Sequence, residues 1–341
     1  MKRSILLIVL SIIVISCAAH AKKKKSKAPK WLENPKAVYA EQMYLSAIGE
    51  GDSRREAENM AAGNLSRIFE SKVKTDETVL QRYMELTKGD DFTYEEQTDV
   101  TKNVNIQSGQ TLFNIQFAES YTNNMGRVFA IAYLNRLKTS EIYEEKINKN
   151  TKSINYFEKE CDNSNDIMFK YAAMSAASAV GMSNEVLLEQ LGIIFPTSKE
   201  MLEINYNYND LMKKAAEVAR QISFKIDIKN DTENKISILV EELLTDLGFV
   251  LSEENLLNVN GEVLFEETDL QRENKFIRYE LKLKIIDPEN ITIVTLSEKG
   301  REGHVSLPEA QARAVRTIEK KIKKTLKKKL IAYFDGMVVK K

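Results

Sequence analysis

The chain has 341 residues, 43% of them hydrophobic, which is enough for two or three domains with ordinary cores. Lysine plus arginine number 50, and aspartate plus glutamate also number 50. This balance supplies no global field for nucleic acid or for a polyanionic substrate.

The chain opens with Met1-Lys2-Arg3, followed by an apolar run from Ile5 to Ile15 that only Ser11 interrupts. Ser16, Cys17 and Ala18 follow. A charged start, a short apolar run and a small-residue exit make a secretory signal over residues 1–16. The run is shorter than the roughly 20 residues that span a bilayer. No later segment approaches that length, so the body is expected to be soluble. Two cleavage readings compete. Val14-Ile15-Ser16-Cys17 resembles a bacterial lipobox, in which Cys17 is lipidated and becomes the new N-terminus. Ala19-His20-Ala21 fits ordinary signal peptidase, but Lys22–Lys25 directly after it is a poor context for that enzyme. The lipobox is favoured, and several acyl chains at about 0.8 kcal/mol per buried methylene anchor a protein firmly. Residues 17–30 then read as the lipidated cysteine and a lysine-rich tether.

Residues 31–137 read as a first α+β domain. Met43 to Gly49 is a strand and Gly49-Glu50-Gly51-Asp52 a turn. Ser53-Arg54-Arg55-Glu56 is a capping box. Ala57, Ala61, Leu65 and Ile68 recur on one helix face. Between Thr75 and Gly109 the pattern is weak. Thr111 to Tyr121 alternates as a strand, Asn123 to Gly126 turns, and Arg127 to Tyr133 returns as the second arm of a hairpin.

Residues 138–222 read as helical. Tyr143, Ile147, Ile154, Phe157 and Cys161 fall within about 80° of one another at 100° per residue. Asp162–Asn165 breaks that helix. Ile167 to Val180 is the next, ended by Gly181, and Asn184 to Ile194 follows, ended by Pro196. Thr197-Ser198-Lys199-Glu200 is a second capping box, opening a helix to about Ile222. Four helices with short connections suggest antiparallel packing.

Residues 223–341 read as a second α+β domain. Phe224, Ile226 and Ile228 alternate with Lys225, Asp227 and Lys229, a strand with one buried face. An amphipathic helix through Ile236, Val240 and Leu247 stops at Gly248. Strands follow at Val259–Phe265, Tyr279–Ile285 and Ile291–Leu296. Ser306-Leu307-Pro308-Glu309 is a third capping box, whose helix runs to about Phe334 with a lysine-rich outer face. The fold class is therefore α+β: two small α/β-sandwich-like domains, each βα then antiparallel strands, joined by a helical segment.

Several blocks in order carry a resemblance. They are Pro29-Lys30-Trp31, Tyr44-Leu45-Ser46-Ala47-Ile48-Gly49-Glu50-Gly51, the helix with Glu56-Ala57-Glu58 and Ala61, and Val128-Phe129-Ala130-Ile131-Ala132-Tyr133-Leu134-Asn135-Arg136. Over about residues 29–140 the chain resembles the LPP20 family of bacterial lipoproteins. The resemblance implies an envelope lipoprotein, often of the outer membrane, with no assigned activity. A related domain in a flagellar-ring protein implies a structural role as an alternative. Residues 141–341 lie outside it.

Candidate chemistry is sparse. The turn Gly49–Ser53 precedes a helix N-terminus, where anions bind. Arg54 stands where a G-x-G-x-x-G fingerprint needs its third glycine, so a capped turn is the better reading. The pairs Asp90-Asp91, Glu95-Glu96, Glu241-Glu242, Glu253-Glu254 and Glu266-Glu267 are adjacent, so their side chains diverge and form no acid/base dyad. Cys161 is the body's one cysteine, which excludes an intramolecular disulfide, and it reads as core. His304 has no second histidine or nucleophile motif beside it. Cys161 and His304 make no metal site without carboxylates. The lysine face of the last helix lacks the aromatics of a nucleic-acid platform. Trp31 reads as a packing anchor.

These readings give no catalytic, cofactor-binding or metal residues, and one site residue, Cys17, for lipidation. The expected protein is a non-catalytic envelope lipoprotein of structural or interaction type. It is anchored in the outer membrane, faces the periplasm and has protein partners in an envelope assembly. The alternatives are a periplasmic lipid- or glycan-binding module and an accessory of a flagellar or secretion assembly. The best candidate for a recognition edge is Thr93 to Gly109, polar on both faces, although a plain exposed hairpin is the favoured reading of that segment. Cys17→Ala is expected to move the protein from the membrane to the soluble periplasmic fraction, read by fractionation and detergent partition. Unchanged partition removes the lipid anchor.

Overall fold

The computed structural model describes residues 27–70, 77–87, 112–268 and 274–339. The leader, Cys17, His20, Asp90-Asp91, Glu95-Glu96 and the candidate edge at Thr93–Gly109 lie outside the described residues. The fold is mixed α+β, as expected. It divides into two compact units, one of residues up to Leu65 with Ile115–Leu134, the other of the remainder.

The first unit contains α1 (Lys30–Glu33), α2 (Pro35–Val38), β1 (Tyr44–Gly51) and α3 (Arg54–Glu70) as far as Leu65. It also holds β2 (Gln116–Phe117), β3 (Tyr121–Thr122) and most of β4 (Val128–Asn135). The strands run in the order β1-β4-β2, and β3 also pairs with β4, antiparallel, through Tyr121↔Phe129. The Ser53 capping box forms. Ser53 Oγ accepts from Glu56 N–H at 3.3 Å, and the Glu56 carboxylate accepts from Asp52 N–H at 2.8 Å. α3 lies so close on β1 that a Cβ at Gly49 would come 2.1 Å from the Ala61 nitrogen. Only glycine permits that approach. The buried stripe of α3 runs Ala57, Ala61, Ala62, Leu65 and Phe69. Ile68, expected on this stripe, is 38% exposed, because the +4 steps from Ala57 reach Phe69 instead. On the sheet's opposite face Tyr39, Tyr44 and Tyr133 form a triad with ring centroids 4.7–5.9 Å apart. The expected continuous strand from Thr111 to Tyr121 is reduced to β2 and β3. Asn114 sits at φ +62°, a left-handed position that no strand tolerates.

The second unit contains α4 (Glu77–Leu86), α5 (Arg136–Asn163), α6 (Ile167–Ile194), α7 (Pro196–Met201) and α8 (Tyr208–Ala219). They are followed by β5 (Ser223–Lys229), α9 (Lys235–Asp246), β6 (Val250–Leu251), β7 (Leu257–Thr268), β8 (Lys275–Ile286) and β9 (Thr292–His304). The chain ends in α10 (Leu307–Lys321), a π-helical turn at Ile322–Leu326, and α11 (Lys327–Val338). The five strands run β6-β5-β7-β8-β9. β5 pairs parallel with β6 and β7, and β7, β8 and β9 form an antiparallel meander. β5 alternates as expected, with Phe224 buried and Lys225, Asp227 and Lys229 exposed.

Three helix expectations change. Gly181 does not end a helix, since α6 runs unbroken for 28 residues. There the absent side chain lets α8 approach, because a Cβ would stand 3.0 Å from Leu211 Cδ1. Pro196, with Phe195 as N-cap, opens α7, and Thr197–Glu200 forms no box. α8 starts afresh at Asn207, whose side chain accepts from Asn209 and Asp210 N–H. Ser306 caps α10 without a side-chain hydrogen bond.

One apolar core holds the helical segment and the C-terminal sheet together, so the expected boundary at residue 222 does not separate two cores. Tyr171 of α6 packs edge-on to Phe249 and Phe334 at 4.9 and 4.7 Å, and Phe249 meets Phe224 at 5.1 Å. Along α5 and α6 runs a buried polar seam. Asn150 Nδ2 donates to Asn184 Oδ1 at 3.1 Å, and Tyr143 donates to Gln190 Oε1 at 3.0 Å. Satisfied buried amides of this kind fix the register of two helices that apolar contacts alone leave free to slide. A fragment of residues 223–341 would uncover Phe224, Phe249 and Phe334 on the side where Tyr171 sits. It is expected to bind a hydrophobic dye and to lose cooperative thermal unfolding; a sharp transition like that of the full chain would show that α6 is dispensable to this core.

Candidate functional site

The turn after β1 is closed by its own chain. Arg127, next to β4, reaches the carboxylates of Asp52 and Glu50, the latter at 3.2 Å. These acids hold the Arg127 guanidinium above its ordinary range, through hydrogen bonds to Asp52 first and Glu50 second. The N–H groups of Asp52 and Glu56 are taken by the capping box. A helix N-terminus offered to an outside anion needs free N–H groups and no carboxylates in front of it. The turn is a structural device.

Cys161 lies buried on α5, where the apolar stripe placed it. Burial pushes its thiol above the ordinary range, and neighbouring Asp162 adds to this, while Lys170 and Lys214 pull the other way. Such a thiol is a poor nucleophile. His304 ends β9, and its Nδ1 is buried without a hydrogen-bond partner among the described residues. The adjacent carboxylate pairs go separate ways. Glu242 faces Lys323 at 3.6 Å and Glu253 faces Lys225 on β5. Lys146, on α5, is buried with its Nζ 4.4 Å from the Phe113 ring centroid. Burial first, and Lys149 second, hold its ammonium below the usual lysine range. Among the described residues no group of three His, Cys, Asp or Glu side chains could hold a metal ion. No helix among them is long and apolar enough to cross a membrane. Trp31 is buried in α1.

The structure also assembles a cleft that the sequence reading did not find. A hollow of about 360 Å³ opens between α4, α6 and α8 and the end of α9. Its walls include Arg82, Tyr171, Ser175, Tyr208 and Asp246. Arg82 binds both oxygens of Asp335 on α11, at 2.7 and 3.0 Å, and donates to Ser175 at 2.9 Å. Next to it the Tyr83 hydroxyl donates to Asn150 at 3.1 Å and joins the polar seam. Arg82 and Tyr83 lie in the stretch read as weakly patterned. A helical signal was nonetheless there, since Val79, Leu80, Tyr83 and Leu86 recur at helical spacing.

No family model matches the chain. No curated protein matches it either. Among solved structures it is similar to the secreted protein HP1454 of Helicobacter pylori, at 14% identity and a TM-score of 0.37, over 87% of this chain and 99% of that one. A minor lipoprotein of Acinetobacter baumannii is similar at 12% identity and a TM-score of 0.26, over 34% of this chain and 94% of that one. A lipoprotein of Caulobacter crescentus is similar at 8% identity and a TM-score of 0.22, over 33% and 88%. By their descriptions these are a secreted protein and two lipoproteins. Scores this low carry no inference about what this chain does.

The Arg82–Asp335 pair has side chains only 19% and 12% exposed. Arg82→Ala leaves a largely buried carboxylate without its cation, at a cost of about 3 kcal/mol. Urea unfolding is expected to show the midpoint fall accordingly. A loss below about 0.5 kcal/mol would mean that solvent already screens the pair.

Proposed function

We propose that this chain is an exported lipoprotein of LPP20 type, anchored through lipid on Cys17 in the outer membrane, that works by binding other envelope proteins and not by catalysis. The leader and the Val14–Cys17 box support export and anchoring. One observation carries the interaction reading. At the Gly49–Ser53 turn and the Arg82–Asp335 pair the charged groups are answered by the chain itself, whereas the 13-residue strand β9 stands at a sheet edge among the described residues. Long edges are where chains pair.

A second reading, a lipid- or glycan-binding module, has the cleft at Arg82 in its favour. Its volume lies at the low end of small-ligand sites. Crosslinking in intact cells, followed by mass spectrometry, separates the two. The interaction reading expects a discrete protein partner in the membrane fraction that is lost with Cys17→Ala. Recovery of lipid or glycan alone, or a hydrolytic activity that one substitution abolishes, would reject it.

A further inference from the structure

We infer that the free edge of β9 is a docking strand for an extended, acidic segment of a partner protein, which adds to the sheet as a sixth strand. The inference deepens the interaction reading above and names its surface.

The backbone argument comes first. Among the described residues β9 pairs with β8 alone, on one side. Lys329 Nζ donates to the Thr295 carbonyl at 2.8 Å, and Arg313 Nη1 donates to the Gly303 carbonyl at 3.0 Å. Both carbonyls therefore point away from β8. In an antiparallel ladder alternate residues aim their backbone groups the same way. Ser297, Lys299 and Arg301 lie between these two at the same phase, so their N–H and C=O groups also face outward. No backbone hydrogen bond reaches them from another element among the described residues. The one irregularity of the ladder, at Ile285/Ile286, lies beyond this stretch. Thr295, Ser297, Lys299 and Arg301 are all exposed.

Charge gives the partner its chemistry. On the helix-free face β8 and β9 bring up Arg278, Lys282, Lys284, Lys299 and Arg301 against Glu280, which pairs with Lys282. Glu262 and Glu266 of β7 lie one strand further in, opposite Lys282 and Arg278, so Lys299 and Arg301 are the cations at the edge itself. From the helix side Lys321 reaches Glu298 of β9 at 3.4 Å, and Lys329 reaches the edge itself. On the helix side β9 carries Glu298 and Glu302 beside these lysines, so the excess of cations along the edge lies on the helix-free face. An incoming strand meets donors and acceptors along its backbone and positive charge beside its side chains, which selects an acidic sequence. Lysines on an edge also serve to keep strands away. In that role they would oppose every strand, acidic ones included.

The test uses a fluorescent peptide of about ten alternating glutamates and valines, long enough to pair along β9, and the mature full-length chain. The peptide is expected to raise anisotropy on binding, while a lysine/valine counterpart does not. Lys299→Pro removes one outward N–H without touching the β8 ladder and is expected to weaken binding at least about tenfold. The double variant Arg278→Gln with Arg301→Gln is expected to flatten the salt dependence. Hydrogen exchange on the unaltered protein gives an independent reading, with the amides of Ser297, Lys299 and Arg301 slowing on peptide addition. Absence of both binding and protection overturns the inference. So does binding that Lys299→Pro leaves unchanged, and so does capture of vesicles rich in anionic lipid with no protection of those amides. The assay needs neither the Cys17 anchor nor the native envelope, so its failure leaves the crosslinking result standing, and the reverse holds as well.

Discussion

Apart from its polar seam, helix α6 is apolar around nearly its whole circumference, and most of the second unit follows from that. Between Ile167 and Ile194 only Lys170, Glu185 and Glu189 are charged, and sixteen of its positions, from Tyr171 to Ile194, are buried. A helix with one apolar stripe can lie on a surface; one apolar all round has to be enclosed. α5 covers one side through the Asn150–Asn184 seam, and α8 covers another by approaching Gly181. The sheet side closes through Tyr171 on Phe249 and Phe334. The helical region is thus the centre of a core that extends through the sheet. Each fully buried aromatic or aliphatic side chain contributes about 1.5–3 kcal/mol when water is excluded from all its faces. Dividing the unit at residue 222 forfeits that on both sides of the cut.

The same economy governs the polar groups. Asp52 and Glu50 are answered by Arg127, and Asp335 by Arg82. In the seam Asn184 Nδ2 donates to the Ile147 carbonyl at 3.3 Å, besides its partner Asn150. Groups so occupied stabilise and position the chain. The contrast is with β9, the last strand of its sheet among the described residues, where only the Thr295 and Gly303 carbonyls of the outward groups are met, by Lys329 and Arg313. Basic side chains flank that edge, in a protein whose total charge is nil. A surface of this kind suits recognition, where complementarity of charge and backbone decides the partner.

The sequence by itself determined the α+β class, the capped turn at Ser53, the alternation of β5 and the meander, and the burial of Trp31 and Cys161. These are legible because each depends on near neighbours. A capping box spans three residues, and strand and helix periods show within one or two turns. It also carried the whole case for Cys17, which rests on local leader chemistry. Tertiary structure decided the rest. Gly181 and Pro196 look alike as breakers, yet one is a packing contact against α8 and the other opens α7. The difference lies in what stands opposite, not in the residue. Arg82 meets Asp335 across 253 positions, and no local pattern couples them. That β9 ends the sheet among the described residues, with the backbone groups of Ser297, Lys299 and Arg301 facing outward, depends on which strands pair across the fold. Periodicity specifies that a strand exists and which face it buries, and it is silent on whether a neighbour lies on both sides.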